Sequence, residues 1–149
     1  MAKKKRRAKK KLEAFVLDAS TTLAWYFRDE ADSYADAVAR RIPTIDAIVP
    51  AIWPMEVANA ILMGERRKRD TAATAAQWIG YLTSLPIAVD DLTLGRVFGD
   101  VLAVARAQNL SVYDAAYLEL AIRSGLSLAT LDDRLRAAAA AVGVPEFEP

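Results

Sequence analysis

Cysteine and histidine are both absent from this sequence. Without cysteine the chain has no disulfide, no thiolate nucleophile and no cysteine-ligated zinc. Without histidine it lacks the commonest general base and the commonest ligand of transition metals. Glycine and proline are scarce, at six residues each, whereas hydrophobic residues make up 54% of the chain. The composition therefore indicates a compact, helix-rich domain whose chemistry depends on carboxylates, hydroxyls, amides, lysine and arginine.

Long apolar runs are missing as well. No stretch approaches the roughly 18 apolar residues that a membrane span needs. The basic start of the chain is followed by Glu13 and Asp18 and by no clean cleavage site, which is not typical of a secretory signal. The sequence therefore predicts a cytoplasmic protein without a membrane segment.

The net charge of +1 conceals an uneven distribution of charge. Eight of the 20 lysines and arginines lie in residues 1–11, which contain no acid. The other 12 cations and all 19 acids lie in the rest of the chain, which therefore has a net charge of −7. We expect a basic tail over 1–11 and a single domain over 12–149. The tail is either a solubilising extension or an arm that binds RNA phosphates.

Short apolar runs alternate with helical patterns along the domain. The runs at 14–18, 47–50, 86–90 and 126–130 predict strands, the first with the pattern of a buried strand, and "VPEF" at 144–147 would add a short edge strand. A long helix is expected from about 92 to 108. This alternation predicts an α/β fold, a three-layer α/β/α sandwich with a central, mainly parallel four- to five-stranded sheet.

Four acids are expected at the carboxyl ends of these strands. Asp18 ends the first strand and Asp132 follows the fourth, while Glu56 and Asp114 lie in the first turns of two helices. The carboxyl ends of parallel strands lie at the same edge of a sheet, where ligands bind. Crowded carboxylates raise one another's pKa, and Mg²⁺ or Mn²⁺ relieves that repulsion. A metal held this way activates water for hydrolysis of a phosphodiester.

Each acid also has a purely structural interpretation. Asp18 and Asp132 are suitable N-caps, and Glu56 can complement a helix dipole. The spacing of Ser111 and Asp114 resembles a capping box. Asp114 also precedes a helix stripe of Leu118, Ala121 and Ile122 that is expected to face inward. A carboxylate in that position is costly unless it is paired, protonated or bound to a metal.

Four motifs together resemble the PIN-domain family and, within it, the VapC-type toxins of bacterial toxin–antitoxin pairs. They are "FVLDAST", "PMEVANAI", "SVYDAAYLELA" and "LATLDDRLRAAA". Their order and spacing match the family over roughly 12–145, and the last two motifs in tandem are the most specific. The resemblance implies a PIN-like fold and a metal-dependent endoribonuclease that uses Mg²⁺ or Mn²⁺ to cut structured RNA, often a transfer or ribosomal RNA.

The resemblance also implies roles for individual residues and partners for the chain. The catalytic, metal-binding acids would be Asp18, Glu56, Asp114 and Asp132. Supporting roles around them would fall to Ser20, Thr130, Asn59 and Asp133, the last as a substitute for or supplement to Asp132. The family further implies a homodimer and a cognate VapB-like antitoxin that covers the acidic cleft.

Several alternatives remain open at this point. The same fold serves nucleases of RNA maturation or DNA processing that have no antitoxin, and non-catalytic PIN-like binding modules. A signalling receiver domain requires a lysine late in the sheet, but the only lysine outside the tail is Lys68. A phosphatase with an aspartyl nucleophile typically has D-x-D after the first strand, where this chain has "DAS".

Overall fold

The computed structural model describes residues 13–149, so the basic tail predicted over 1–11 lies outside the described residues. A four-stranded sheet forms the centre of the domain, with β1 at Ala14–Leu17, β2 at Asp46–Val49, β3 at Ile87–Val89 and β4 at Ser127–Ala129. All of its pairings are parallel, and the strand order is β3-β2-β1-β4. The predicted parallel sheet is thus confirmed. The expected fifth strand is reduced to a single parallel bridge between Leu128 and Glu146.

Helices fill the connections between the strands, as the alternating pattern predicts. They are α1 (Ala19–Ala24), α2 (Ser33–Arg41), α3 (Trp53–Arg66), α4 (Ala72–Ser84), α5 (Thr93–Arg96), α6 (Leu102–Gln108), α7 (Val112–Ser124) and α8 (Asp133–Ala141), with a 3₁₀ turn at Arg28–Glu30. A π-helical turn at Val97–Val101 joins α5 to α6, so the long helix predicted near 92–108 is present but locally widened. Within residues 13–149, no helix combines the length and apolarity required to cross a membrane.

Local sequence signals explain where several helices begin and end. Pro54 lies in the first turn of α3, where its missing N–H costs no hydrogen bond. Thr71 caps α4 by accepting a hydrogen bond from the backbone N–H of Thr74. Gly125 ends α7 with φ of 64°, a left-handed conformation that glycine adopts without strain.

The core is built on β1 and α7. Phe15, Val16 and Leu17 are fully buried, and the ring of Phe147 stacks on Phe15 with centroids 4.0 Å apart. Helix α7 packs on β1, β4, α6 and α8 and is buried continuously from Ala115 to Ala121. The expected inward stripe is confirmed at Leu118 and Ala121, which are buried, but the expectation was wrong for Ile122. Ile122 is 46% exposed, because neighbours enclose α7 on all sides over this buried stretch and leave its last turn at the surface.

The strand order explains where a ligand site can form. Strand β1 lies between β2 and β4, so the chain leaves β1 toward one side of the sheet and later returns to its other side. A crevice opens at the carboxyl ends of strands where the order reverses in this way. The backbone N–H of Asp18 donates to the carbonyl of Ala129 at 3.0 Å, which holds the ends of β1 and β4 side by side at this point.

Candidate active site

The four predicted acids line one cleft at this crevice. Its volume is about 340 Å³, and its described lining contains no lysine or arginine. The lining residues are Asp18, Ala19, Ser20, Leu23, Glu56, Asn59, Ala60, Asp114 and Asp132. Residues that are up to 114 positions apart in the chain are therefore brought together at the sheet edge.

Asp18 lies at the base of the cleft and is only 4% exposed. Its backbone occupies the N-cap position of α1, but its side chain makes no capping hydrogen bond, so the capping interpretation does not describe it. Instead its Oδ2 accepts hydrogen bonds from Ser20 Oγ at 2.5 Å and Thr130 Oγ1 at 2.7 Å. Burial raises the pKa of Asp18, these two hydroxyls oppose the rise, and the charge of Asp114 adds to it.

Asp132 combines a structural bond with its position in the cleft. Its Oδ1 accepts a hydrogen bond from the backbone N–H of Leu135 at 2.8 Å and so caps α8. Its own backbone N–H donates to Thr130 Oγ1 at 3.0 Å. Because the same hydroxyl donates to Asp18, the buried Thr130 links two of the four acids. The capping interpretation of Asp132 holds, and it is compatible with a second role in the cleft.

Asp133 is not brought into the cleft. Its side chain is 94% exposed and forms an ion pair with Arg136 at 2.7 Å. Asn59, by contrast, does face the cleft, one helical turn beyond Glu56 on α3. Of the predicted residues, Asp133 therefore stands apart from the rest.

Glu56 receives a hydrogen bond from a residue that the sequence reasoning missed. The hydroxyl of Tyr117, which is fully buried, donates to Glu56 Oε1 at 2.6 Å. Burial raises the pKa of Glu56, the tyrosine hydrogen bond opposes the rise, and the charges of Asp18 and Asp114 add to it. Burial and the same acidic surroundings raise the pKa of Tyr117, so its phenol remains a proton donor. The one available signal was its position three residues after Asp114.

Of the capping box that the spacing of Ser111 and Asp114 suggested, the described structure contains the half made by Ser111, but no bond from the Asp114 carboxylate back to the Ser111 N–H. Ser111 is the N-cap of α7, and its Oγ accepts a hydrogen bond from the backbone N–H of Asp114 at 3.1 Å. The carboxylate of Asp114 lines the cleft. Burial and the charge of Asp132 raise its pKa, while Ser111 and the nearby Arg134 oppose the rise. The cleft therefore contains three acids whose ionised forms are disfavoured.

Comparison with known proteins identifies the family. The sequence profile of the PIN domain matches residues 15–141. The chain belongs to the PIN domain family. It is 30% identical over 120 residues to Ribonuclease VapC3 of Pyrobaculum aerophilum, a match that covers 80% of this chain and 90% of that protein. The crystal structure of PAE2754 from the same organism has a similar fold, with a TM-score of 0.62, 24% identity and 86% of each chain covered.

The donor chemistry of this PIN domain suits a hard divalent cation, although the acids are not clustered tightly. Within residues 13–149, no group of three or more acidic side chains is arranged to hold a metal ion directly. The acids surround the cleft and do not form such a cluster. Mg²⁺ retains several waters and needs only one or two carboxylates in direct contact. A cleft of this size, with only oxygen donors among its acids, fits that mode of binding.

A second ionic cluster supports the PIN domain away from the cleft, and the sequence reasoning did not find it. Glu119, 3% exposed on α7, contacts Arg96 at 2.6 Å and Arg123 at 3.0 Å. Arg123 also pairs with Asp90 at 2.7 Å, and Thr93 donates to that aspartate at 2.6 Å. The cluster ties α7 to the segment after β3. The spacing of Glu119 and Arg123, four residues apart on one helix, was the available signal.

Proposed function

We propose that this PIN domain is a metal-dependent endoribonuclease and the toxin of a VapBC-like toxin–antitoxin pair. The observation that carries the proposal is the single cleft lined by Asp18, Glu56, Asp114 and Asp132, without a cationic side chain in its described lining. Burial and, to a smaller extent, the charges of neighbouring acids raise the pKa values of Asp18, Glu56 and Asp114, and a divalent cation would stabilise their ionised forms.

Asp18 and Asp114 would be the main ligands of Mg²⁺ or Mn²⁺, and Glu56 and Asp132 would complete the site or contact water bound to the metal. When bound there, the cation would acidify water and stabilise the charge that develops on the phosphate during hydrolysis. The chain's own residues orient the carboxylates for this task. Ser20 and Thr130 fix one oxygen of Asp18, and Tyr117 fixes one oxygen of Glu56.

The substrate and partners follow from the same proposal. The relative named Ribonuclease VapC3 supports RNA as the substrate and a VapB-like protein as the antitoxin. We infer a structured RNA of the transfer or ribosomal class, cut by water to leave a 5′-phosphate and a 3′-hydroxyl. We also infer a homodimer that acts in the cytoplasm.

Cleavage of structured RNA by the full-length protein tests the proposal. Purified without any antitoxin, the protein should cut bulk transfer RNA in Mg²⁺ or Mn²⁺, and EDTA should stop the reaction. Asp18→Asn and Asp114→Asn should each lower the rate by more than about a hundredfold while the protein stays folded. Asp133→Asn is the matched control, because Asp133 follows Asp132 in the chain but its side chain faces solvent and not the cleft. An Asp114→Asn protein with full activity would contradict the assignment.

Two further substrates separate the alternatives. A DNA hairpin that is cut in place of RNA would favour a DNA-processing nuclease of the same fold. Binding of RNA with no cleavage in either metal would favour a non-catalytic binding module. Co-expression with the product of a small neighbouring reading frame, followed by gel filtration and a cleavage assay, tests the antitoxin. A complex that has lost nuclease activity is the expected result.

A further inference from the structure

We propose that Arg134 forms a phosphate-binding subsite for the RNA backbone at the rim of the acidic cleft. This inference rests on the proposed function and adds a residue that contacts the substrate. A polyanion must approach a cleft lined by four acids, on a domain whose net charge outside the basic tail is −7. Besides any metal bound in the cleft, a cationic side chain at its rim would help to hold a phosphate against that repulsion.

Most arginines with a defined contact in the described structure are already neutralised by acids. Arg69 pairs with Asp29 and Glu30, and Arg136 pairs with Asp133 and Glu146. Arg96 and Arg123 belong to the cluster around Glu119 described above. These guanidinium groups stabilise the fold, and the neighbouring carboxylates compensate the positive charge that would otherwise attract an anionic ligand.

Arg134 differs from them in its contacts. Its side chain is exposed, and its Nη2 donates to the backbone carbonyl of Asn109 at 3.1 Å. Within residues 13–149 it forms no ion pair with a carboxylate. A carbonyl fixes the position of the guanidinium without neutralising its charge. The group also retains further N–H donors, in a planar arrangement that suits two oxygens of a phosphate.

The position of Arg134 places this charge beside the cleft. It lies two residues after Asp132 in the first turn of α8. Its partner Asn109 lies two residues before Ser111, the cap of α7 that precedes Asp114. The guanidinium therefore bridges the starts of the two helices that carry these acids. The charge of Arg134 also lowers the pKa of Asp114, although burial and Asp132 raise that pKa by more. This effect agrees with the short distance between the two residues.

Helix stability does not explain an arginine at this position. Cations are favoured in the last turn of a helix and disfavoured in the first, where the helix dipole is positive. Arg134 occupies the first turn of α8, and its positive charge therefore opposes the local dipole. The same dipole would reinforce binding of a phosphate that lies against both the guanidinium and the helix start.

RNA binding over a salt series tests the subsite. The full-length protein is titrated against a fluorescently labelled RNA hairpin in EDTA, and anisotropy gives Kd at several NaCl concentrations. Arg134→Ala should weaken binding about tenfold at low salt and reduce the slope of log Kd against log salt by about 1, the loss of one phosphate contact. A merely structural role would not change this slope.

Arg40→Ala is the matched control. Arg40 is also exposed, but it lies in the last turn of α2, which leads into the amino end of β2, at the opposite edge of the sheet from the cleft. Its removal should leave the slope unchanged. Arg134→Lys should restore the slope because it restores the charge, whereas Arg134→Gln, whose amide can hydrogen-bond but is uncharged, should behave like alanine.

The outcomes separate this inference from the proposed function. If the wild-type protein binds RNA, three results would each overturn the subsite. They are an unchanged slope in Arg134→Ala, an equal reduction of the slope in Arg40→Ala, and a slope that Arg134→Lys does not restore. Wild-type protein that does not bind the hairpin would count against the proposed function itself.

Discussion

Replacing Thr130 by valine tests the link between two of the acids. Thr130 is 1% exposed, and its hydroxyl donates to Asp18 Oδ2 at 2.7 Å and accepts from the backbone N–H of Asp132 at 3.0 Å. Valine has nearly the same shape but lacks both bonds. A hydrogen bond to a charged group contributes about 2 kcal/mol and a neutral one about 1 kcal/mol. We therefore expect Thr130→Val to lower the free energy of unfolding by about 3 kcal/mol.

Urea denaturation followed by tryptophan fluorescence, in EDTA near pH 7.5, measures this loss. The loss should shrink toward about 2 kcal/mol when pH falls through the pKa of Asp18, because protonation turns the bond from Thr130 to Asp18 into a neutral one. Thr130→Ser keeps the hydroxyl and should cost only the buried methyl group, about 1 kcal/mol. Cleavage by Thr130→Val should fall about 10- to 100-fold. Equal stabilities of the valine and serine variants would refute the reasoning.

The remaining predictions concern one acid of the cleft and one outside it. Burial and the charge of Asp132 raise the pKa of Asp114 in the folded protein above its value in the unfolded chain. The folded state therefore loses stability as pH rises between these two pKa values, and the loss persists at higher pH. Asp114→Asn should therefore raise the free energy of unfolding by up to about 1 kcal/mol at neutral pH in EDTA, with no gain near pH 3; a loss in denaturant titrations would indicate a structural role. Glu119→Gln should lower the free energy of unfolding by about 2 kcal/mol, because two arginines lose a buried charged partner. Glu148 is exposed, and Glu148→Gln should change the free energy of unfolding by less than about 0.5 kcal/mol. Equal effects of the two glutamine variants would argue against the Glu119 cluster.

The sequence predicted those features that depend on neighbouring residues. Thr71 and Gly125 mark helix ends because a cap or a left-handed residue acts within one turn of the helix. The strands were predicted because continuous apolar runs are typical of parallel strands buried on both faces. The convergence of Asp18 and Asp132 also followed, since each lies at or just after the carboxyl end of such a strand, and all strands of a parallel sheet end at one edge.

Features that depend on packing between distant segments were not predicted. The bond from Tyr117 to Glu56 joins residues 61 positions apart, and no local pattern specifies that pairing. Sequence reasoning favoured Asp132 but left Asp133 open as its substitute or supplement, and it is the direction of each side chain at the start of α8 that separates the two. The π-helical turn at Val97–Val101 likewise has no periodic signal in an otherwise helical segment.

By itself, the sequence determined a mainly parallel α/β core, acids at the carboxyl ends of its strands and chemistry without cysteine or histidine. These properties follow from residue type and from spacing within one element. Only the tertiary structure decided which hydroxyls and arginines accompany each acid, because burial and charge act through space between segments that are distant in the chain. Asp18 shows both contributions: its place at the end of β1 is local, whereas its contact with Thr130 spans 112 residues.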